Sequence, residues 1–345
     1  MKTNSILYIG QYLEGTTSKM RAEALSKIIA PNRLEVIDTH IPFYQSHPFW
    51  RSLGFRYKRG KLIQQINKHI LNEVAGPYKA IWIDKGIFIR PKVINYLRAL
   101  TDILVHYTPD TAFCQNKSRF FNKGLKYYDF AISTKSFEKE KYLEYIKKNQ
   151  LLFVPQGFDK NIHFPRHRFS EKSSDVVFIG LYEPSRAEVI SFLLKNNISV
   201  AVAGKKWTRF NKTHKNYGNY RFLGEGLFGE DYAQTLSKAS FSLGLLSKRF
   251  PELHTTRTFE IPACGTALIT EKNKETSKFY DEDEVIFFKD KEDMLSKINY
   301  YLSNKDQLSF ITTNGYKKVL EAGGYDYQEQ LRQICLKTGI ISAEA

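Results

Sequence analysis

At 345 residues with 42% hydrophobic side chains, the chain is too long for one ordinary domain and can bury two cores. Its formal charge of +16 is uneven, with 28 Lys and Arg against 13 Asp and Glu in residues 1–170 but 24 against 23 in residues 171–345. Cys114, Cys264 and Cys335 lie too far apart for a disulfide framework or a zinc spacing, no leader-like opening is seen, and no apolar run reaches the ~20 residues of a membrane span. The expectation is a soluble cytoplasmic protein whose basic half meets something anionic: a membrane surface, a phosphorylated lipid carrier or an acidic polymer.

Ser5 to Gly10 is a short apolar run ending in glycine and predicts a parallel strand with its turn. Gly15-Thr-Thr-Ser18 follows, then apolar positions at helical spacing from Met20 to Ile29. Strand, small polar loop and helix open a doubly wound α/β domain. The loop has neither Gly-x-Gly-x-x-Gly nor a Walker lysine, so no dinucleotide motif marks it. Leu34–Asp38 predicts a second strand. From Phe49 to His69, aromatic residues interleave with Arg51, Arg56, Lys58, Arg59 and Lys61, and no acid appears between Asp38 and Glu73. Such a mixture suits a membrane interface, an acceptor bearing phosphate, or a helix with an apolar inner face and a solvated basic outer face.

Ala80–Asp84 and Ile103–His106 read as buried strands around a helix over 91–100, with Pro91 in its first turn. His106 and Asp110 follow at the carboxyl end of a strand, where open α/β sheets place their ligands. There His106 is placed to donate a hydrogen bond and Asp110 to take a proton. Tyr128–Ser133 and Leu152–Pro155 are further strands, and the polar stretch 166–174 reads as a linker.

The pattern then restarts. Asp175–Gly180 is again a glycine-ended strand, and Leu181–Arg186 leads into a helix over 187–195. Val200–Gly204 is a strand with Lys205, Lys206 and Trp207 at its carboxyl end, placed to meet a diphosphate and a base. A strand at 220–224, a helix at 232–239 and a strand at 241–246 precede the most informative stretch. Asp281–Glu284 contains Asp-x-Asp but reads as a solvated turn before a strand at 285–288. Helices are expected over 293–302 and through 307–335, broken at Gly323-Gly324.

Glu252 to Glu271 reads Glu-Leu-His-Thr-Thr-Arg-Thr-Phe-Glu-Ile-Pro-Ala-Cys-Gly-Thr-Ala-Leu-Ile-Thr-Glu. Phe259 to Cys264 predicts a short helix closed by Gly265, followed by a strand over 266–270. Arg257 offers a planar cation that forks onto phosphate. Backbone N–H groups at a helix start add to that pull, and a carboxylate such as Glu260 suits paired ribose hydroxyls. Together these residues form a seat for a sugar nucleotide.

The string Arg257 to Glu271 resembles the C-terminal signature of the CgeB-like glycosyltransferases, a GT-B family. The Glu252-x7-Glu260 pair is similar to the paired glutamates of large retaining GT-B families. The resemblance implies a GT-B fold: two Rossmann-like doubly wound domains facing an interdomain cleft. It implies an acceptor domain at 1–168, a nucleotide-sugar domain at 169–322, and a helix at 323–345 returning to the first. Implied catalytic residues are His106, Asp110 and Glu252. Implied donor-binding residues are Arg257, Glu260, Thr256, Lys205, Lys206, Gly180, Tyr182 and Arg186. Gly10, Thr17, Ser18 and Arg21 are implied to line the cleft on the acceptor side. The donor would be linked to UDP, GDP or dTDP, with no metal required, and the acceptor would be a saccharide, lipid-linked or protein molecule in bacterial surface glycan synthesis. Competing readings are a nucleotide-sugar epimerase of the same frame, a non-catalytic binding protein, and a nucleic-acid binder. The last is disfavoured because no nucleic-acid motif accompanies the charge.

Overall fold

The computed structural model of the chain describes residues 4–342. They form two compact units, one built from the residues up to Pro155 together with those from Tyr327 onward, the other from Gln156–Asp326.

The first unit contains β1 (Ser5–Gly10), α1 (Thr17–Ile28), β2 (Arg33–Asp38), α2 (Ile41–Gln45), α3 (Pro48–Tyr57), α4 (Lys61–Glu73), β3 (Tyr78–Asp84), α5 (Pro91–Arg98), β4 (Thr101–Thr108), α6 (Arg119–Gly124), β5 (Phe130–Ser133), α7 (Lys139–Leu143) and β6 (Leu151–Phe153). The second contains β7 (Ser173–Ile179), α8 (Pro184–Lys195), β8 (Val200–Ala203), α9 (Thr208–His214), β9 (Tyr220–Phe222), α10 (Gly229–Lys238), β10 (Ala239–Leu243), α11 (Arg257–Ala263), β11 (Ala267–Glu271), α12 (Thr276–Phe279), β12 (Ile286–Phe288), α13 (Lys291–Ser303) and α14 (Lys305–Glu321). The last helix, α15 (Tyr327–Thr338), belongs to the first unit.

Each unit carries a parallel six-stranded sheet, in the order β2-β1-β3-β4-β5-β6 and β12-β11-β10-β7-β8-β9. Parallel strands are covered on both faces, so their side chains alternate between two cores. On β3, Ile81 and Ile83 join the core beneath α4, while Ala80 and Trp82 join the core that receives Leu331, Ile334 and Cys335 of α15. On β7, Val176 and Phe178 point to one face and Val177 and Ile179 to the other. Both sheets reverse their winding at one place, between β1 and β3 and between β7 and β10. Such switch points, at the carboxyl ends of strands, are where doubly wound sheets bind ligands.

Two expectations need correction. The break expected at residue 168 falls at Pro155 instead. Within the stretch 166–174 expected as a linker, Arg166 and Lys172 are tied to the second unit. Arg166 forks onto Glu230 of α10, its backbone N–H donates to Ser237 at 2.6 Å, and Lys172 reaches the carbonyl of Ser237. The segment 49–69 falls on two helices, α3 and α4, and Leu62, Ile63, Ile66 and Ile70 of α4 sit fully in the core.

Candidate nucleotide-sugar site

At the switch point of the second unit, β7 ends at Ile179 and Gly180 turns the chain. The turn is tightly packed: an added Cβ on Gly204 would lie 2.0 Å from the Gly180 carbonyl oxygen. Trp207 is wholly buried and its indole N–H donates to that same carbonyl at 2.8 Å. Trp207 therefore supports the loop and cannot meet a base, contrary to the expectation for the Lys205-Lys206-Trp207 corner. Lys205 and Lys206 are exposed, with Lys206 in the left-handed region at φ 70°. Tyr182 donates its N–H to the Lys205 carbonyl at 3.0 Å and sets its ring edge-on to Trp207.

Two arginines flank the turn. Arg186, in the first turn of α8, is buried and bridges the switch point, donating to the carbonyls of Leu181 at 3.0 Å and Leu245 at 3.2 Å. Glu183 lies 3.1 Å from it and also accepts from Ser247 Oγ at 3.0 Å. Arg257 opens α11, and its Nη1 donates to the Ile179 carbonyl at 3.4 Å. An added Cβ on Gly180 would approach that Nη1 to 3.5 Å. Burial, then the positive charge of Arg257, lowers the pKa of Arg186, against the pull of Glu183 and Glu252. The Nε atoms of Arg186 and Arg257 are both buried without a hydrogen-bond partner among the described residues. A concentration of guanidinium charge with unspent N–H groups, beside a glycine turn and a helix start, favours a phosphate anion.

The helix α11 then sets the spacing. Thr256 precedes it, and its carbonyl receives the N–H groups of Phe259 and Glu260 at 2.9 Å. Glu260, one turn after Arg257, accepts from Tyr232 Oη at 2.7 Å through Oε2, while Oε1 lies 3.8 Å from His163 Nε2. Burial and the Glu260 charge raise the Tyr232 phenol well above its ordinary pKa, so it stays a donor. Glu252 is half-buried and accepts from the Ser247 N–H at 3.2 Å, which ties it into the loop before α11. Arg257, Glu260, Gly180, Tyr182, Arg186, Thr256 and Glu252 thus all lie on β7–α8, β10–α11 or α11 itself.

In the first unit the expected acceptor-side residues behave differently. Gly10 is packed beneath Tyr8 and Asp84, where an added Cβ would come within 2.9 Å of both. Ser18 is buried and shares hydrogen bonds with Tyr8 Oη. Arg21 is buried in a fork with Asp84, at 2.8 and 3.2 Å, and lies over the Tyr107 ring. It holds Asp84 in place rather than facing a ligand. Thr17 is exposed at the start of α1. His106 lies inside β4 and is fully buried against Phe121 and Tyr128, with Nε2 on the Lys85 carbonyl at 3.1 Å. Burial pushes its pKa down to about 4, so the ring is neutral and its donor is already used. Asp110 is half-buried and paired with Lys85 at 2.7 Å. Burial opposes its charge, but Lys85, Lys135 and Arg21 outweigh that and lower its pKa. Asp110 and Ser18 line a cavity of about 270 Å³ with Asp84, Lys85, Phe55 and Phe88.

Residues 186–335 match the family model described as glycosyl transferase-like. No curated protein matches the chain in sequence. Among solved structures, sucrose-phosphate synthase from Thermosynechococcus elongatus aligns at a TM-score of 0.67 with 15% identity, covering 98% of this chain and 100% of that one. Anabaena HepE in complex with UDP aligns at 0.64 with 12% identity over 99% of this chain and 100% of the other. A Listeria monocytogenes protein described as a putative UDP-N-acetylglucosamine 2-epimerase aligns at 0.60 with 12% identity, over 100% and 98%.

The fold is GT-B. Its two sheets are the two Rossmann-like halves, and the glycosyl transferase-like region covers less than half of the chain, from α8 to α15.

Sequence reasoning missed Glu183, Asp84, Tyr232 and His163. Asp84 ends a strand and Glu183 follows a glycine turn, a positional signal that was present. Tyr232 and His163 reach Glu260 only through the tertiary fold, and nothing local marks them.

Proposed function

We propose that the chain transfers a glycosyl group from a nucleoside-diphosphate sugar to a hydroxyl acceptor. The carrying observation is the Arg186–Arg257 pair with unspent Nε donors at the β7/β10 switch point, one helical turn from Glu260. Arg257, Arg186 and Lys205-Lys206 offset the charge that grows on the departing diphosphate. Glu260, oriented by Tyr232, accepts from ribose hydroxyls. Asp110 is the candidate base for the acceptor hydroxyl, and Lys85 keeps it ionised. HepE, of the same fold, is a protein crystallised with UDP and with UDP-glucose, which supports a uridine-linked donor among the candidates.

Thermal-shift screening with UDP-, GDP- and dTDP-sugars identifies the donor, since a ligand of the folded state raises the melting temperature. With that donor, Arg257→Ala is expected to lower kcat by roughly 10²-fold while nucleoside-diphosphate affinity falls far less, because the side chain acts on charge that develops in the transition state. Equal losses in both would assign Arg257 to ground-state binding alone. Interconversion of the sugar nucleotide with no acceptor present would favour an epimerase instead.

A further inference from the structure

A surface helix ordinarily turns its polar side to water. In α3 the arrangement is inverted. Gly54 faces inward, where an added Cβ would meet Leu62 at 2.8 Å. Away from it, Phe49, Trp50, Leu53, Arg56 and Tyr57 share one stripe at helical spacing. Phe49, Trp50 and Tyr57 are 60%, 39% and 56% exposed, and Ile41 and Tyr44 of neighbouring α2 are exposed as well. Phe49 and Trp50 stand edge-to-face, 5.1 Å between ring centres. Beside the stripe opens a basin of about 700 Å³ whose wall carries Arg56, Arg59, Lys117, Arg119 and Lys123. No carboxylate lines it, and Lys141 at its rim is paired with Glu144 at 2.6 Å.

We propose that the outer face of α3 and this basin dock on the anionic surface of a lipid bilayer. Cations without neighbouring acids fit phosphate headgroups. The stripe decides the partner. Exposed Phe, Trp and Tyr gain nothing from a soluble polyanion, whereas at a bilayer they settle at headgroup depth with Leu53 and Ile41 towards the acyl boundary. No helix among the described residues is long and apolar enough to cross a membrane. The docking face stands independently of the donor site, which lies in the other unit.

Co-sedimentation with vesicles tests this. The intact chain is expected to bind an equal mixture of phosphatidylcholine and phosphatidylglycerol, to ignore phosphatidylcholine alone, and to be released by added salt. Trp82 and Trp207 are buried, so a blue shift in tryptophan emission on binding reports Trp50. The combined variant R56Q/R59Q/R119Q/K123Q should bind at least about a hundredfold more weakly, each cation contributing about fivefold. F49S/W50S should bind more weakly and lose the shift, while both variants keep the wild-type melting temperature, since the replaced groups are on the surface. Equal behaviour toward both vesicle types, an unmoved Trp50 spectrum on binding, or capture by a soluble polyphosphate without vesicle binding would each overturn the proposal.

Discussion

Deep in the first unit, His106 is neutral at physiological pH, and this has a measurable consequence. Its folded-state pKa is held down at about 4 by burial, against about 6.5 for an exposed imidazole. The folded state therefore refuses a proton that the unfolded chain accepts. The stabilisation is fully present above the unfolded value and is lost as pH falls from about 6.5 to about 4, to a total of roughly 3 kcal/mol. Urea midpoints for wild type and His106→Gln, measured across that window, should converge as pH falls. Parallel curves would show that His106 does not control the acid limb. Asp110 loses its contribution only below its own unfolded pKa, so the two are separable. Sequence position put both residues at the carboxyl end of one strand, whereas β4 runs on to Thr108, so His106 lies within it and only Asp110 lies beyond it. Position alone gave no means of seeing that the imidazole turns into the core while the carboxylate turns to Lys85, because side-chain direction at a strand end depends on what packs above it.

The helix α11 carries Arg257 and Glu260 although it is only seven residues long and contains Pro262. A proline inside a helix cannot donate to the carbonyl four residues back. That carbonyl belongs to Thr258, and Tyr280 Oη donates to it at 2.7 Å. At the other end Gly265, at φ 67°, lets its own N–H reach Pro262 and that of Thr266 reach Ile261, the paired bonds of a Schellman closure. Tyr280→Phe is expected to leave a buried carbonyl unpaired and cost about 1–3 kcal/mol in chemical denaturation, with weakened donor binding as α11 loosens. An unchanged midpoint would mean water replaces the hydroxyl. The glycine stop and the proline were legible in the sequence, and so were the positions of the strands along the chain, since buried parallel strands read as short apolar runs. Tyr280 was not, because its partner is 22 residues away. The helices α3 and α4 were only partly legible, because an outward apolar stripe on one and an inward stripe on the other blur any single period.

At the scale of the whole molecule, α15 is a structural part of a unit whose other residues end at Pro155. It lays Leu331 and Ile334 into the core formed by Ile6, Tyr8, Trp82 and Val105, and Ile340 follows them. Ending the chain at Asp326 uncovers that face. Three buried aliphatic side chains at about 1.5–3 kcal/mol each amount to roughly 5 kcal/mol or more, comparable with the entire stability of an ordinary domain. The shortened protein should show a protease-resistant core within 156–326 and rapid digestion of residues before 155. Full protection of the first unit would show that α15 is dispensable.

Phe158 bridges to Asp326, and its N–H donates to the Tyr325 carbonyl at 2.9 Å, so the second unit starts and finishes at one spot. Every residue of that unit leaves the ribosome before Tyr327. The earlier-made strands must wait for the closing helix with one side of their sheet bare. Translation order and completion order are therefore opposite: the half synthesised later is the half that can finish first.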